Sequence, residues 1–452
     1  MAPSAPASQQ RMRQHNLSLL LHILAEDGPA SRAALATRTG LTRAGVSTLT
    51  EELIRAGLLV ELGRDRPGRV GRPGSALGLA ETGLCGLGGE VGVDRIAVCA
   101  MDLRGRVRIR HEAASANRAS APGPVLARLR EMAEAVAAEA AQCGLRPAGL
   151  AVAVPALVRR GTSTVVHAPN LGWQHTDVAA YLGGELPLTV DNEANFGALA
   201  HLWRSGEPAP EAQGRPGRAP RTDRSSFTSR ASRGQVAGSG DSAAAAGAPD
   251  GSSLRDFLHV SAAAGIGAAV IQDGRLVRGR HGFAGELGHV PVYPSGPRCA
   301  CGGRGCLEQY AGEPALLRAA GLDGRPAEAA PSGEGRGAAL VPLARRAQEG
   351  HPAARSALRS AGRAFGIALA GAVNLLDPET VVLGGSLAPL SSWLLPPMEA
   401  ELRRRTAAPG EAPAVVPSPL GTDGPLLGAA HSVVRAALAD PLGYVAAANG
   451  RA

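Results

Sequence analysis

Between His289 and Cys306 the chain carries one imidazole and three thiols in a single short run, His289-Val-Pro-Val-Tyr-Pro-Ser-Gly-Pro-Arg-Cys299-Ala-Cys301-Gly-Gly-Arg-Gly-Cys306. Three thiolates and an imidazole complete a tetrahedral Cys₃His set for zinc, so the backbone around them must converge on one point. Gly302, Gly303 and Gly305 let the chain turn tightly enough for all three sulfurs to face one ion. Four protein ligands leave no open position, so the expected Zn²⁺ is structural and does not activate water. The competing reading is three buried free thiols beside an unrelated His. Six Cys in 452 residues do not make a disulfide scaffold, and thiols this dense among glycines favour the metal.

The N-terminal part follows a different pattern. Residues 1–10 are Pro-, Ala- and Ser-rich and read as disordered, without the apolar core of a signal peptide. In the block that follows, residues 11–80, Leu17, Leu20, Leu21 and Leu24 fall at i, i+3, i+4 and i+7, one stripe of an amphipathic helix stopped by Asp27-Gly28-Pro29. Ser31 is placed to cap a short helix over 32–38, and Thr39-Gly40 supplies a turn. A third helix from about Thr42 turns Val46, Leu49 and Leu53 inward. Helix, turn and helix in this order form a DNA-binding arrangement whose second helix enters the major groove by its first residues. Those facing away from the apolar stripe are Arg43, Ala44, Ser47 and Thr48. Leu58–Val60 and Ala76–Leu79 then read as the strands of a wing, with Arg64, Arg66, Arg69 and Arg72 at its tip, where arginines suit a narrow minor groove or its phosphates. The alternative is a small helical bundle with a solvated basic face.

Charge agrees with a nucleic-acid partner. All 47 basic residues are Arg and the formal net charge is +8. Residues 1–80 hold ten Arg against six acidic groups, so the DNA-facing block carries more than its share. No apolar run is long enough to span a bilayer, and the expected location is cytoplasmic, with no membrane partner.

From Gly86 onward strand-like and helical runs alternate, Val91–Met101, Val125–Ala141 and Gly149–Val154 first, which points to an α/β domain over 86–440. Residues 205–253, rich in Pro, Gly, Ser, Ala and Arg, read as a disordered insertion, 324–337 as a second loop, and 441–452 as a C-terminal tail.

Taken together these residues resemble the ROK family of bacterial repressors and sugar kinases. The most specific segment is Gly285-Glu286-Leu287-Gly288-His289 followed by Cys299-x-Cys301-Gly-x-x-Gly-Cys306-Leu-Glu308. Ala168-Pro-Asn170-Leu-Gly-Trp173, Asp191-Asn192-Glu193-Ala194-Asn195 and Val381-Val-Leu-Gly384-Gly385-Ser386 are similar to further family elements. The resemblance implies an N-terminal winged helix-turn-helix joined to a two-lobed, actin-like sugar-kinase fold of the ribonuclease H-like α/β class. It also implies that Asn192, Glu193, Glu286, His289 and Glu308 face a sugar, which suits the hydrogen-bonding chemistry of carboxylates and amides toward a polyol.

Against the family's kinases this chain departs at each phosphate-handling part. Where the resemblance implies Asp-x-Gly-Gly-Thr, the chain reads Glu90-Val91-Gly92-Val93-Asp94; where it implies Gly-Thr-Gly-Ile-Gly-x-Gly, it reads Ala263-Ala264-Gly265-Ile266-Gly267-Ala268-Ala269. The catalytic Asp position holds Glu193, one methylene longer, and misplacing a base by about 1 Å costs about 100-fold. No catalytic residue is therefore assigned and ATP is not expected as a cofactor. The expected function is a sugar-responsive transcriptional regulator, a repressor of carbohydrate genes. It would bind a double-stranded operator as a homodimer or homotetramer, with a sugar or sugar phosphate as effector. The alternatives are an active ATP-dependent, glucokinase-like enzyme with a DNA-binding head, and a DNA-binding protein indifferent to ligands.

Overall fold

The computed structural model describes residues 9–64, 75–204, 254–262, 265–322, 340–408 and 410–450. The expected insertion at 205–253, the loop at 324–337 and the wing-tip residues Arg66, Arg69 and Arg72 lie outside the described residues.

The head is built from α1 (Gln9–Asp27), β1 (Ala30–Ser31), α2 (Arg32–Thr39), α3 (Arg43–Arg55), β2 (Leu59–Arg64) and β3 (Ser75–Leu79). Local chemistry sets its boundaries. Ser31 accepts a hydrogen bond from Ala34 N, Gly40 ends α2 at φ 70°, and Thr42 Oγ1 accepts from Gly45 N. The leucine stripe of α1 is wholly buried. β1, β3 and β2 form one small antiparallel sheet. Helix α1 begins two residues inside the stretch expected to be disordered.

The body has two five-stranded sheets. The first lobe contains β4 (Gly83–Val91), β5 (Arg95–Asp102), β6 (Val107–Ala114), α4 (Pro122–Gln142) and β7 (Leu145–Val154). After them come β8 (Leu157–Val158), β9 (Thr164–Ala168), β10 (Trp173–Asp177), α5 (Val178–Leu182), β11 (Leu188–Asn192) and α6 (Glu193–Arg204). The second lobe contains β12 (Phe257–Ala262), β13 (Ile266–Gln272), β14 (Arg275–Val277), α7 (Glu308–Ala311), α8 (Glu313–Ala319), α9 (Val341–Gln348) and α10 (Pro352–Leu376). It continues with β15 (Thr380–Gly385), α11 (Ser391–Arg405) and β16 (Ala414–Pro417), and the chain closes with α12 (Gly424–Ala439) and α13 (Pro441–Asn449).

The sheets share one topology. Read from the antiparallel edge they run β6-β5-β4-β7-β11 and β14-β13-β12-β15-β16, each an antiparallel trio followed by two parallel strands. The architecture is a duplicated α/β fold with α6 and α12 packed between its halves.

Two expectations change. Val91–Met101 is not one strand: its apolar run is folded in two by a turn closed by Gly92 N donating to Arg95 O at 2.9 Å, which makes β4 and β5 an antiparallel pair. The expected tail over 441–452 is not a simple tail either: among its described residues, Pro441–Asn449 form a helix. Asp440 caps α13, whose Pro441, Val445 and Ala448 are buried; Asp followed by Pro at the first helical position is a helix-start signal that composition had masked.

Head and body share one apolar cluster, in which Leu17, Leu20, Leu21 and Leu24 join Ala430, Val434 and Leu438 of α12. Polar links reinforce it: Arg435 donates to Glu26 at 2.9 Å, Gln14 to Asp440 at 2.7 Å, and Arg104 to the Leu79 carbonyl at 2.6 Å. Among the described residues no helix is long and apolar enough to cross a membrane.

Candidate functional site

A cleft between the lobes is lined by Asn192 and Glu193 where β11 passes into α6, by Gly265–Gly267 at the start of β13, and by Glu286, His289 and Glu308. All five residues expected to face a sugar therefore meet in one place. The motif Gly285-Glu-Leu-Gly-His289 has a steric basis. Gly285 holds φ 101°, and a Cβ there would fall 2.0 Å from Ala268 O; one on Gly288 would fall 2.2 Å from Ile266 O. Only glycine lets this segment lie directly on β13, and that contact aims Glu286 and His289 into the cleft.

Burial raises the pKa of Glu286, the nearby Glu308 carboxylate adds to the shift, and His289 opposes it. Glu308 is anchored, its Oε2 accepting from Ile266 N at 3.1 Å. Asn192 is already engaged through Nδ2 to Ala156 O (2.9 Å) and through Oδ1 from Ala194 N (2.7 Å). One amide proton and one lone pair remain for a ligand. Asp191 organises this corner: it accepts from Asn195 Nδ2 at 2.7 Å and pairs with Arg278 at 2.7 Å. His167 and Asn170 also line the cleft. Asn170 lay inside a motif noted above, whereas nothing in the local sequence marked His167.

The His289, Cys299, Cys301 and Cys306 ligand atoms lie within 4.8 Å of one another. Cys301 and Cys306 sulfurs are 3.7 Å apart and His289 Nδ1 is 3.7 Å from Cys299 Sγ. A tetrahedral zinc with Zn–S bonds of about 2.3 Å separates its sulfurs by about 3.8 Å, so the donor set fits such an ion. Positive φ at Gly302 and Gly305 shapes the knuckle, and Cys299 N donates to Gly303 O at 2.9 Å. Beside the cluster, Val292 and Leu307 enter the second lobe's core.

The β4–β5 turn carries a buried ion pair. Glu90 is fully buried and accepts from Arg95 Nη2 at 2.9 Å, while Arg95 Nη1 reaches Glu112 at 2.7 Å. Arg110 joins Glu112 (2.8 Å) to Asp423 (2.8 Å). Burial would raise the Glu112 pKa, but Arg110 and Arg95 together hold it low.

On the head, Arg43, Ala44 and Thr48 are exposed and Ser47 is half-buried along the outer face of α3. Thr48 Oγ1 donates back to Ala44 O at 3.1 Å. Arg64 ends β2, paired with Ser75 of β3.

The ROK family profile matches residues 87–208 and 241–436, and a winged helix-turn-helix DNA-binding profile matches 15–60. The chain belongs to the ROK family. Its ROK domain has the sugar-kinase-like fold and its head is a winged helix-turn-helix. It is similar to a xylose repressor of Caldicellulosiruptor bescii, 28% identical over 385 residues that cover 82% of this chain and 83% of the relative. A ROK family transcriptional regulator homologous to the E. coli MLC protein superposes with a TM-score of 0.70 at 25% identity, over 96% of this chain and 99% of that one. A ROK glucokinase from Streptomyces griseus, solved with glucose and AMPPNP, superposes at 0.56 and 25% identity over 77% and 98%.

Proposed function

We propose that this ROK protein is a sugar-responsive repressor of carbohydrate genes whose kinase-like domain senses and does not phosphorylate. The observation that carries this reading is the physical join between the two sites: α6 starts at Glu193 in the cleft and its last turn packs Trp203 against the cluster that holds α1 of the head. A helix of twelve residues spans about 18 Å, so a shift of its first turn reaches the base of the DNA-binding unit.

Asn192, Glu193, Glu286, His289 and Glu308 hold the sugar, and a structural Zn²⁺ on His289, Cys299, Cys301 and Cys306 fixes the loop that presents them. Arg43, Ala44, Ser47 and Thr48 read the operator, and Arg64, Arg66, Arg69 and Arg72 contact its backbone or minor groove. Two protomers set two recognition helices on a pseudo-palindrome. Sugar binding changes the spacing of the heads, by no more than its differential affinity for the two arrangements. The absence of phosphoryl transfer is supported by Val93 and Asp94, which put bulk and a negative charge in the loop where the family's kinases carry Gly and Thr, and by Gly92 N, which is spent on Arg95 O. That N–H is therefore not available to a nucleotide phosphate.

Fluorescence anisotropy on DNA flanking the protein's own gene tests this, with xylose, glucose, N-acetylglucosamine and their phosphates titrated in. Xylose comes first because of the similarity to a xylose repressor. Release of specific DNA by one sugar, with no sugar-dependent ADP formation in a coupled assay, is the expected result. An operator complex indifferent to every sugar, or steady ADP release, refutes it.

A further inference from the structure

A second cavity, of about 120 Å³, lies at the junction of head and body, away from the cleft. Ala25 and Glu26 at the end of α1 form one wall; Arg104, Trp203, His431 and Arg435 of the body supply its polar and aromatic face. The Trp203 and His431 rings are 5.1 Å apart, and the Arg435 guanidinium sits 5.9 Å from the Trp203 ring centre. Arg435 Nη1 donates to Glu26 at 2.9 Å, and among the described residues it makes no other hydrogen bond. The His431 nitrogens have no hydrogen-bond partner among the described residues. Burial, helped by Arg435, holds that imidazole's pKa down at about 4, so it is neutral at physiological pH. Arg104 is already paired with Glu81, so Arg435, with Glu26 as its one carboxylate partner, is the cation open to an incoming anion.

We infer that this cavity binds a small planar aromatic carboxylate, ring against Trp203 and carboxylate on Arg435. At about 120 Å³ the cavity is smaller than the about 150 Å³ apolar cavity that takes up benzene, so it admits at most a single ring, with the carboxylate lying at the open Glu26 side. An Arg fork beside an indole matches the two ends of such a molecule. The carboxylate has an opening because the present partner of Arg435, Glu26, is 57% exposed and held by one hydrogen bond. A ligand that takes Arg435 from Glu26 removes a polar link between α1 and α12, and so reaches the head without passing through the sugar cleft.

The test uses the full chain at neutral pH, following tryptophan fluorescence and heat of binding with benzoate and 4-hydroxybenzoate, and with benzyl alcohol as uncharged counterpart. Expected is saturable quenching by at least one carboxylate with Kd below about 1 mM, weaker by about tenfold or more for benzyl alcohol. Trp203→Phe abolishes the quenching while the heat remains, because Trp173 and Trp393 lie elsewhere. Arg435→Gln weakens binding by about tenfold or more. The surface change Glu26→Gln removes the competing carboxylate and tightens binding severalfold, which keeps the test informative if Arg435→Gln unfolds. No saturable signal with either carboxylate, equal affinity for benzyl alcohol, or no response to Glu26→Gln overturns the assignment.

Discussion

His289 Nε2 lies 3.8 Å from Glu286 Oε2, while Nδ1 of the same ring lies 3.7 Å from Cys299 Sγ. One imidazole thus belongs to the thiol cluster through one nitrogen and to the cleft between the lobes through the other. An ion bound by Nδ1 fixes the ring and the proton on Nε2, and so the direction in which it meets a ligand. Removing the metal should therefore weaken sugar binding. Elemental analysis should find about one zinc per chain. Chelation, or Cys306→Ser, should lower sugar affinity by about tenfold or more by calorimetry, together with the melting temperature. Unchanged affinity in metal-free protein would separate the two roles of His289.

Glu308 both accepts from Ile266 N and faces the cleft. Glu308→Ala should cost about 2 kcal/mol of sugar binding, close to 30-fold, with operator affinity in the absence of sugar retained. In cells that variant should remain repressing at sugar concentrations that induce the parent. Loss of both activities would mean that Glu308 serves folding instead.

Arg43 is the first residue of α3 and its side chain is exposed. Arg43→Ala should cost about 1–3 kcal/mol on the operator and relax the preference at one base pair. If Arg43 contacts only phosphate, the loss will be equal on random DNA and the salt slope will fall by about one. Anisotropy on both DNAs across a salt series distinguishes the two.

His259 is wedged between α6 and β15, where a Cβ on Gly197 or Gly384 would fall 2.7 or 2.5 Å from its ring. Burial, with His201 adding to it, depresses its pKa from 6.5 to about 3. The unfolded chain therefore takes up a proton that the folded chain refuses. That contribution to stability is intact above pH 6.5 and is lost as pH falls toward 3, by about 3 kcal/mol at about pH 4. Urea unfolding at stepped pH should show this slope, and His259→Leu should flatten it even if stability at neutral pH drops. An unchanged slope in that variant would assign the acid sensitivity to other groups, such as His431, whose pKa is also low at about 4.

Much of this protein was legible in its sequence where the physics is local. The caps at Ser31 and Thr42, the αL glycine at Gly40 and the leucine stripe of α1 act over three or four residues, so their pattern alone determines the head. The thiol knuckle is also contiguous, and the cleft residues proposed to hold a sugar fall in short motifs that carry their own glycines. Tertiary structure decided whatever depends on distant partners. Val91–Met101 folds back because Gly92 and Arg95 close a turn inside an apolar run, which periodicity alone does not reveal. His167 enters the cleft only because β9 pairs with β8 and β10 beside it. The span of α6 from the cleft to the head, the wedge of His259 and the junction cavity all join residues far apart in the chain. Packing geometry brings those residues together, and packing is a property of the whole core.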